Sequence, residues 1–169
     1  MRRLARAQDE AAVYRIYAHP AVTPFLTYEP LSSQDFAPIF AGFLAARDFY
    51  VFERDGDIVG FYKATRFAGR ASHVTHLGPL AIAPERHGEG LGRAMIADAL
   101  THLEAEGATR VELMAEADNA RGLAFYKGLG FEVEGVQRFA YRRAADPDYV
   151  DELVLVRFLG ELRGRWTAG

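Results

Sequence analysis

His87-Gly88-Glu89-Gly90-Leu91-Gly92-Arg93 joins an apolar, strand-like run to a long amphipathic pattern, and its reading decides the fold. Glycines at alternate positions let the main chain approach a ligand closely, because no Cβ intervenes and positive φ is open to them. The helix start that follows adds unpaired N–H groups and the positive end of a dipole, a combination suited to phosphate. What is missing narrows the type of site. A P-loop ends in Gly-Lys-Ser/Thr, whereas Gly92 is followed by Arg93 and Ala94. A dinucleotide fingerprint needs a glycine three residues beyond Gly90, where this chain has Arg93. The loop therefore reads as a holder of pyrophosphate by main-chain amides alone, and coenzyme A is a carrier that fits it.

A second segment lies further on: Asn119-Ala120-Arg121-Gly122-Leu123-Ala124-Phe125-Tyr126-Lys127-Gly128-Leu129-Gly130-Phe131. In this order the two segments resemble the Gcn5-related N-acetyltransferase (GNAT) family, with its acyl-CoA loop Gln/Arg-x-x-Gly-x-Gly/Ala and its later element Asn-x-x-Ala…Tyr-x-x-x-Gly-Phe. His87 stands where Gln or Arg is usual. The resemblance covers residues 50–158 well and the first 45 or so loosely. It implies an α/β (α+β) GNAT fold: a mixed, mostly antiparallel central sheet with splayed fourth and fifth strands and flanking helices, in one domain over residues 1–169. It also implies acetyl-CoA as co-substrate and no metal. The acyl arm would lie along Leu80, Ala81 and Ile82. The diphosphate would lie on His87, Gly88, Glu89, Gly90, Leu91, Gly92 and Arg93, with Asn119, Phe125 and Tyr126 completing the cofactor contacts.

By the same resemblance Tyr126 is the general acid that protonates the departing thiolate. The chemistry suits the residue type, since a phenol of pKa about 10 can donate to a thiolate of pKa about 8.5. On sequence alone Tyr126 also reads as a core aromatic beside Phe125 and Phe131, and Asn119 as a helix N-cap. The attacking amine needs a base. His76 is the first candidate, because imidazole titrates near neutrality, with His73 and Glu116 next. A main-chain N–H, that of Leu80, is the candidate for meeting the oxyanion.

Composition sets the outer limits. A chain of 169 residues with 50% hydrophobic content can bury one sizeable core. A net charge of −3 offers no basic field for nucleic acid or an anionic membrane, so neither is an expected partner. There is no cysteine, which removes disulfides, thiolate metal sites and a cysteine nucleophile. Arg6, Asp9 and Glu10 interrupt the apolar run that a signal peptide needs, so a cytoplasmic protein is expected.

Periodicity predicts a helix over residues 6–17, with Ala12, Val13, Ile16 and Tyr17 as its stripe. A proline-stiffened loop follows over 20–32. Ser33 is expected to cap a helix to about 47 that turns Phe36, Ile39, Phe40, Phe43 and Leu44 inward, with Pro38 near its first turn. Asp55-Gly56 predicts a type I′ hairpin between strands 49–54 and 58–65. Strands are further expected at 73–83, interrupted by Gly78-Pro79, and at 110–115, 131–142 and 149–158. Helices are expected after the glycine loop and at 119–127.

The acceptor is a small-molecule amine by resemblance to bacterial family members that acetylate amino acids or polyamines. Tyr28, Glu29, Tyr141 and Asp151 are the candidate acceptor residues, with Glu152, Phe25 and Phe139 near them in sequence. Two other readings fit the same motifs: a protein N-terminal acetyltransferase, and a non-catalytic acyl-CoA-binding regulator. Many relatives of this size pair as homodimers, and Trp166 is a candidate contact.

Overall fold

A computed structural model describes residues 1–26, 28–144 and 146–165. Trp166 lies outside them. The described strands form a seven-stranded mixed sheet in the order β1 (Arg2–Leu4), β2 (Phe49–Arg54), β3 (Asp57–Arg66), β4 (Val74–Ile82), β5 (Arg110–Glu116), β7 (Tyr149–Phe158) and β6 (Glu132–Arg142). This is the mixed, mostly antiparallel arrangement expected from the sequence, with its parallel pair at β4–β5. The chain divides into two compact units, Met1–Ala64 with Gly78–Ala99 and Thr65–Leu77 with Leu100–Gly169.

In the first unit, β1 (Arg2–Leu4) pairs antiparallel with β2 (Phe49–Arg54). Three residues carry no readable alternation, which is why β1 was not legible in the sequence. The β2–β3 hairpin matches expectation: β3 is Asp57–Arg66, and Asp55 and Gly56 have φ of 56° and 91°, as a type I′ turn requires. Helix α1 (Glu10–Tyr17) begins later than expected, after a 3₁₀ turn over Ala7–Asp9. The buried Asp9 carboxylate holds that turn, accepting from the Arg6 amide at 2.7 Å and from both Arg3 terminal nitrogens at 2.6 and 2.9 Å.

Helix α2 (Ser33–Ala46) is capped by Ser32, not Ser33, with Ser32 Oγ accepting from the Asp35 amide at 3.2 Å. One residue's shift decides which hydroxyl faces the orphan amides. Pro38 consequently lies in the second turn, where it removes one helical hydrogen bond. Phe36 and Phe40 are fully buried, while Ile39, Phe43 and Leu44 are half-buried. Phe36, Phe40, Phe43 and Leu44 join Val13, Ile16, Tyr17, Val22, Phe49, Val51, Phe61, Ala81 and Ala83 in an aromatic-rich core. Gly60 lets β3 meet the second half of β4 (Val74–Ile82): a Cβ there would stand 2.5 Å from Ile82 Cδ1 and 2.8 Å from the Ala81 carbonyl. Helix α3 (Leu91–Ala105) starts in this unit and buries Leu91, Met95, Ile96 and Ala99.

In the second unit, β4 pairs with β5 (Arg110–Glu116) over three positions, Val74↔Arg110, Thr75↔Val111 and His76↔Glu112. Pairing limited to the first residues of each strand is the early ending expected of strands that part, and Gly78-Pro79 follows directly. Helix α4 (Ala120–Lys127) leads to β6 (Glu132–Arg142), and β7 (Tyr149–Phe158) inserts between β5 and β6. The β6–β7 ladder slips twice, and in the second slip Phe139 takes φ of 57°, a left-handed conformation rare for an aromatic. Val111, Leu113, Phe131, Leu155 and Leu159 are among the buried residues of this unit.

Candidate active site

The glycine loop is built for an anion from its backbone outward. A single 3₁₀ turn, Pro84–Arg86, follows β4, and His87 is extended. Gly88 and Gly90 have φ of 90° and 76°, and a Cβ at either would meet no atom within 4 Å. The loop surface over these glycines is therefore open. The first bond of α3 runs from the Ala94 amide to the Gly90 carbonyl at 3.0 Å. Ahead of it, the amides of residues 88–92 have no hydrogen-bond partner among the described residues. A row of open donors at a helix N-terminus is the arrangement a diphosphate needs.

Side chains in the loop serve to brace it. His87 Nε2 lies 3.1 Å from the Ile82 carbonyl, so that nitrogen carries the proton and the ring ties the loop to β4. Arg86 donates two hydrogen bonds to the Glu89 carboxylate at 2.7 and 2.8 Å, which compensates a negative charge otherwise unfavourable beside phosphate. That contact holds the exposed Glu89 carboxyl below its ordinary pKa. Leu91 is buried and anchors the helix start. On β4, Ala81 is buried and Leu80 and Ile82 are half-buried. Arg93 lies in the first turn of α3.

In the second unit, Asn119 caps α4, its Oδ1 accepting from the Gly122 amide at 2.8 Å. The capping role is thus the one seen. Tyr126 sits in the last turn, its ring set edge-on to Phe125 and Phe131 at centroid distances of 5.4 and 6.0 Å. Its hydroxyl has no hydrogen-bond partner among the described residues, and burial pushes its pKa up to about 12. It therefore keeps its proton at any physiological pH, as a general acid must.

The same unit holds a group of carboxylates. Glu116 ends β5 directly opposite Glu152 on β7, and they are only 8% and 7% exposed. Opposed residues project to one face of a sheet, so the two carboxyl groups share a poorly solvated place. Arg143 donates to Glu116 and to Asp118, the latter at 2.8 and 3.0 Å, while the Tyr141 hydroxyl bonds Glu152. Burial nonetheless raises the pKa of Glu116 over the lowering effect of Arg143. Burial and the charge of Glu116 likewise raise that of Glu152 over the bond from Tyr141.

The other candidates are dispersed. His76 Nδ1 lies 3.9 Å from Glu112 Oε1. The His73 carbonyl accepts the Thr109 and Arg110 amides at 3.0 and 3.2 Å. Asp151 accepts the Phe139 amide at 2.8 Å and so holds the β6 irregularity. Tyr28 is 45% exposed in the first unit, next to the exposed Glu29. The sequence reading thus reached Glu116 and Tyr141 but missed Arg143 and the opposition of Glu152 to Glu116. Pairing of β7 with β5 rather than with β6 alone creates that opposition, and no local pattern announces it. Among the described residues no group of three or more His, Asp or Glu is placed to hold a metal.

A family model described as the acetyltransferase (GNAT) family matches residues 7–131. The mycothiol acetyltransferase of Streptomyces coelicolor is 35% identical over 137 residues, which cover 78% of this chain and 42% of that protein. The match thus spans less than half the length of this relative. Among solved structures, an N-acetyltransferase from Staphylococcus aureus Mu50 matches with a TM-score of 0.76 and 17% identity, covering 94% of this chain and 97% of that one. The ribosomal-protein-S18-alanine N-acetyltransferase from Escherichia coli matches with a TM-score of 0.71 and 21% identity, covering 95% and 96%. At such identities the solved structures speak for the fold alone.

Proposed function

The chain belongs to the acetyltransferase (GNAT) family, and from that premise we propose that it transfers an acetyl group from acetyl-CoA to the primary amine of a small molecule. The acceptor, an amino acid, polyamine or similar amine, attacks the thioester directly within a ternary complex. The observation that carries the amine is the buried pair Glu116–Glu152. Arg143 answers Glu116 and Asp118 while Glu152 is met by the neutral Tyr141 hydroxyl, so these poorly solvated carboxylates call for further positive charge, which an ammonium group supplies.

The amine reaches the enzyme protonated and must shed a proton before it can attack. Glu116 takes that proton in this reading, in preference to His76, because burial has raised its proton affinity. The amine nitrogen then bonds to the acyl carbon, and the main-chain N–H of Leu80 meets the oxyanion. The C–S bond breaks with the Tyr126 hydroxyl hydrogen-bonded to the departing sulfur, the nitrogen's second proton passes through that hydroxyl to the thiolate, and Glu116 returns its own proton to solvent. Amides of residues 88–92 hold the diphosphate throughout, braced by His87 and by the Arg86–Glu89 pair. Tyr141, bonded to Glu152, is the acceptor-side candidate that adjoins this pair.

Free thiol is followed after the protein is mixed with acetyl-CoA and a panel of amino acids, polyamines and short peptides. Release with small amines and not with peptides is expected. Tight acetyl-CoA binding without turnover on any amine would refute the reading and leave a non-catalytic acyl-CoA-binding protein.

A further inference from the structure

The end of β1, the 3₁₀ turn after it and the C-terminus of α2 border a cavity of about 390 Å³. It lies wholly within the first unit and shares no residue with the glycine loop. Its size is that of a small-molecule site, for which roughly 300–1,000 Å³ is usual. Leu4, Phe43, Leu44 and Phe49 make its apolar side, and the two phenylalanine rings stack at a centroid distance of 4.6 Å. The Ala5 amide donates to the Phe49 carbonyl at 3.0 Å, which fixes the wall that follows β1. Arg3, Arg6 and Arg47 make the polar side, and no carboxylate is among the described residues that line it.

Guanidinium groups gathered on one small cavity repel one another unless anions answer them. Arg3 is answered by Asp9 at 2.6 Å and by Glu53 at 2.7 Å. The Asp9 carboxylate also accepts the Arg6 amide at 2.7 Å and feels the Arg6 charge. Asp48, next to Arg47 in the chain, is held by Lys63 at 3.1 Å. The exposed Arg47 guanidinium has no partner among the described residues. Arg3, Arg6 and Arg47 thus stand against Asp9 and Glu53, which leaves one positive charge unanswered. The backbone adds a second observation. Arg47 closes α2 with φ of 55°, the left-handed cap conformation that glycine adopts without steric cost. A charged side chain is kept there against backbone strain, and capping alone does not account for it.

We infer that this cavity is a second ligand site, which takes a small carboxylate carried on an apolar body. The carboxylate oxygens meet the Arg6 and Arg47 guanidiniums, and the body lies against Phe43, Leu44 and Phe49. A guanidinium fork matches the two oxygens of a carboxylate, and the one unanswered charge matches its single negative charge. A phosphate ester carries more than one charge near neutrality and overshoots that balance. The Glu116–Glu152 pair belongs to the second unit, so this inference does not depend on the identity of the amine.

The test is titration calorimetry with coenzyme A present at saturation, so that the glycine loop is filled. The probes are 3-phenylpropionate, its neutral amide and 3-phenylpropyl phosphate. The wild type is expected to bind the carboxylate with a Kd below about 1 mM and the amide at least about tenfold more weakly. Arg47→Gly suits the left-handed cap, so its melting temperature without ligand should stay level or rise. Its affinity for the carboxylate should fall at least about tenfold while its affinity for the amide stays unchanged. Arg6→Met, at an exposed position, should weaken the carboxylate in the same direction. No heat with the wild type, equal affinity for carboxylate and amide, or wild-type affinity for the carboxylate in Arg47→Gly would each overturn the inference. Tighter binding of the phosphate ester than of the carboxylate would overturn the charge balance on which it stands.

Discussion

Replacing Tyr126 by Phe removes one oxygen from the site and tests the chemistry most directly. The hydroxyl has no hydrogen-bond partner among the described residues, so the variant should fold with a stability change within about 0.5 kcal/mol and bind acetyl-CoA as before. Kinetics should change more. General acids contribute roughly 10²–10⁴-fold, and the structure favours the lower end of that range. A phenol pushed up to about 12 is a weaker acid than a thiol of pKa about 8.5, so full proton transfer to the free thiolate is uphill by about 3.5 pH units. Tyr126 therefore acts chiefly by a hydrogen bond that strengthens as charge grows on sulfur. A fall in kcat of about 10²-fold follows, near 2.7 kcal/mol at about 1.36 kcal/mol per decade. Thiol release at saturating acetyl-CoA gives kcat, titration calorimetry gives the CoA affinity, and a melting curve reports the fold. The sign for pH follows too: a required acid with a raised pKa stays functional to higher pH, so Tyr126 should impose no alkaline limb below about pH 11. A kcat within twofold of wild type, with affinity and fold intact, would refute the role.

Three further outcomes are expected. Gly90→Val forces a β-branched residue into φ of 76°, costing about 1–2 kcal/mol of loop conformation with no clash at the open Cβ position, and calorimetry should show acetyl-CoA affinity falling at least about tenfold. Arg143→Met removes the cation that lowers the Glu116 pKa, so the acid limb of kcat/KM should move to higher pH; an unmoved limb would exclude Glu116 as the base. For Asp9, burial alone would raise the carboxyl pKa, but the hydrogen bonds from Arg3 and the Arg6 amide prevail and lower it. Its contribution to stability is therefore present above the ordinary carboxylate range and fades as pH falls below about 4. Asp9→Asn should cost about 2–4 kcal/mol in urea unfolding at pH 7 and less at pH 3.

The family and most elements were legible because they rest on local physics. The Asp55-Gly56 turn, the glycine loop with its following helix and the Asn119 cap each require particular residues within a few positions of one another. Where local signals were thin, the reading slipped by a residue, as at Ser32, or missed an element, as at Arg2–Leu4.

By itself, then, the sequence determined which backbone segments must bend, cap and lie open to phosphate, since φ preference and orphaned amides belong to short stretches of chain. The fold alone decided which side chains share an environment. Glu116 faces Glu152 because β7 inserts beside β5, Arg143 returns from beyond β6 to Glu116, and Tyr17 is buried because rings from α2 and β3 close over it. Desolvation and charge coupling depend on distance in space, and neighbours 27 or 36 residues apart in sequence have no local pattern by which to be found.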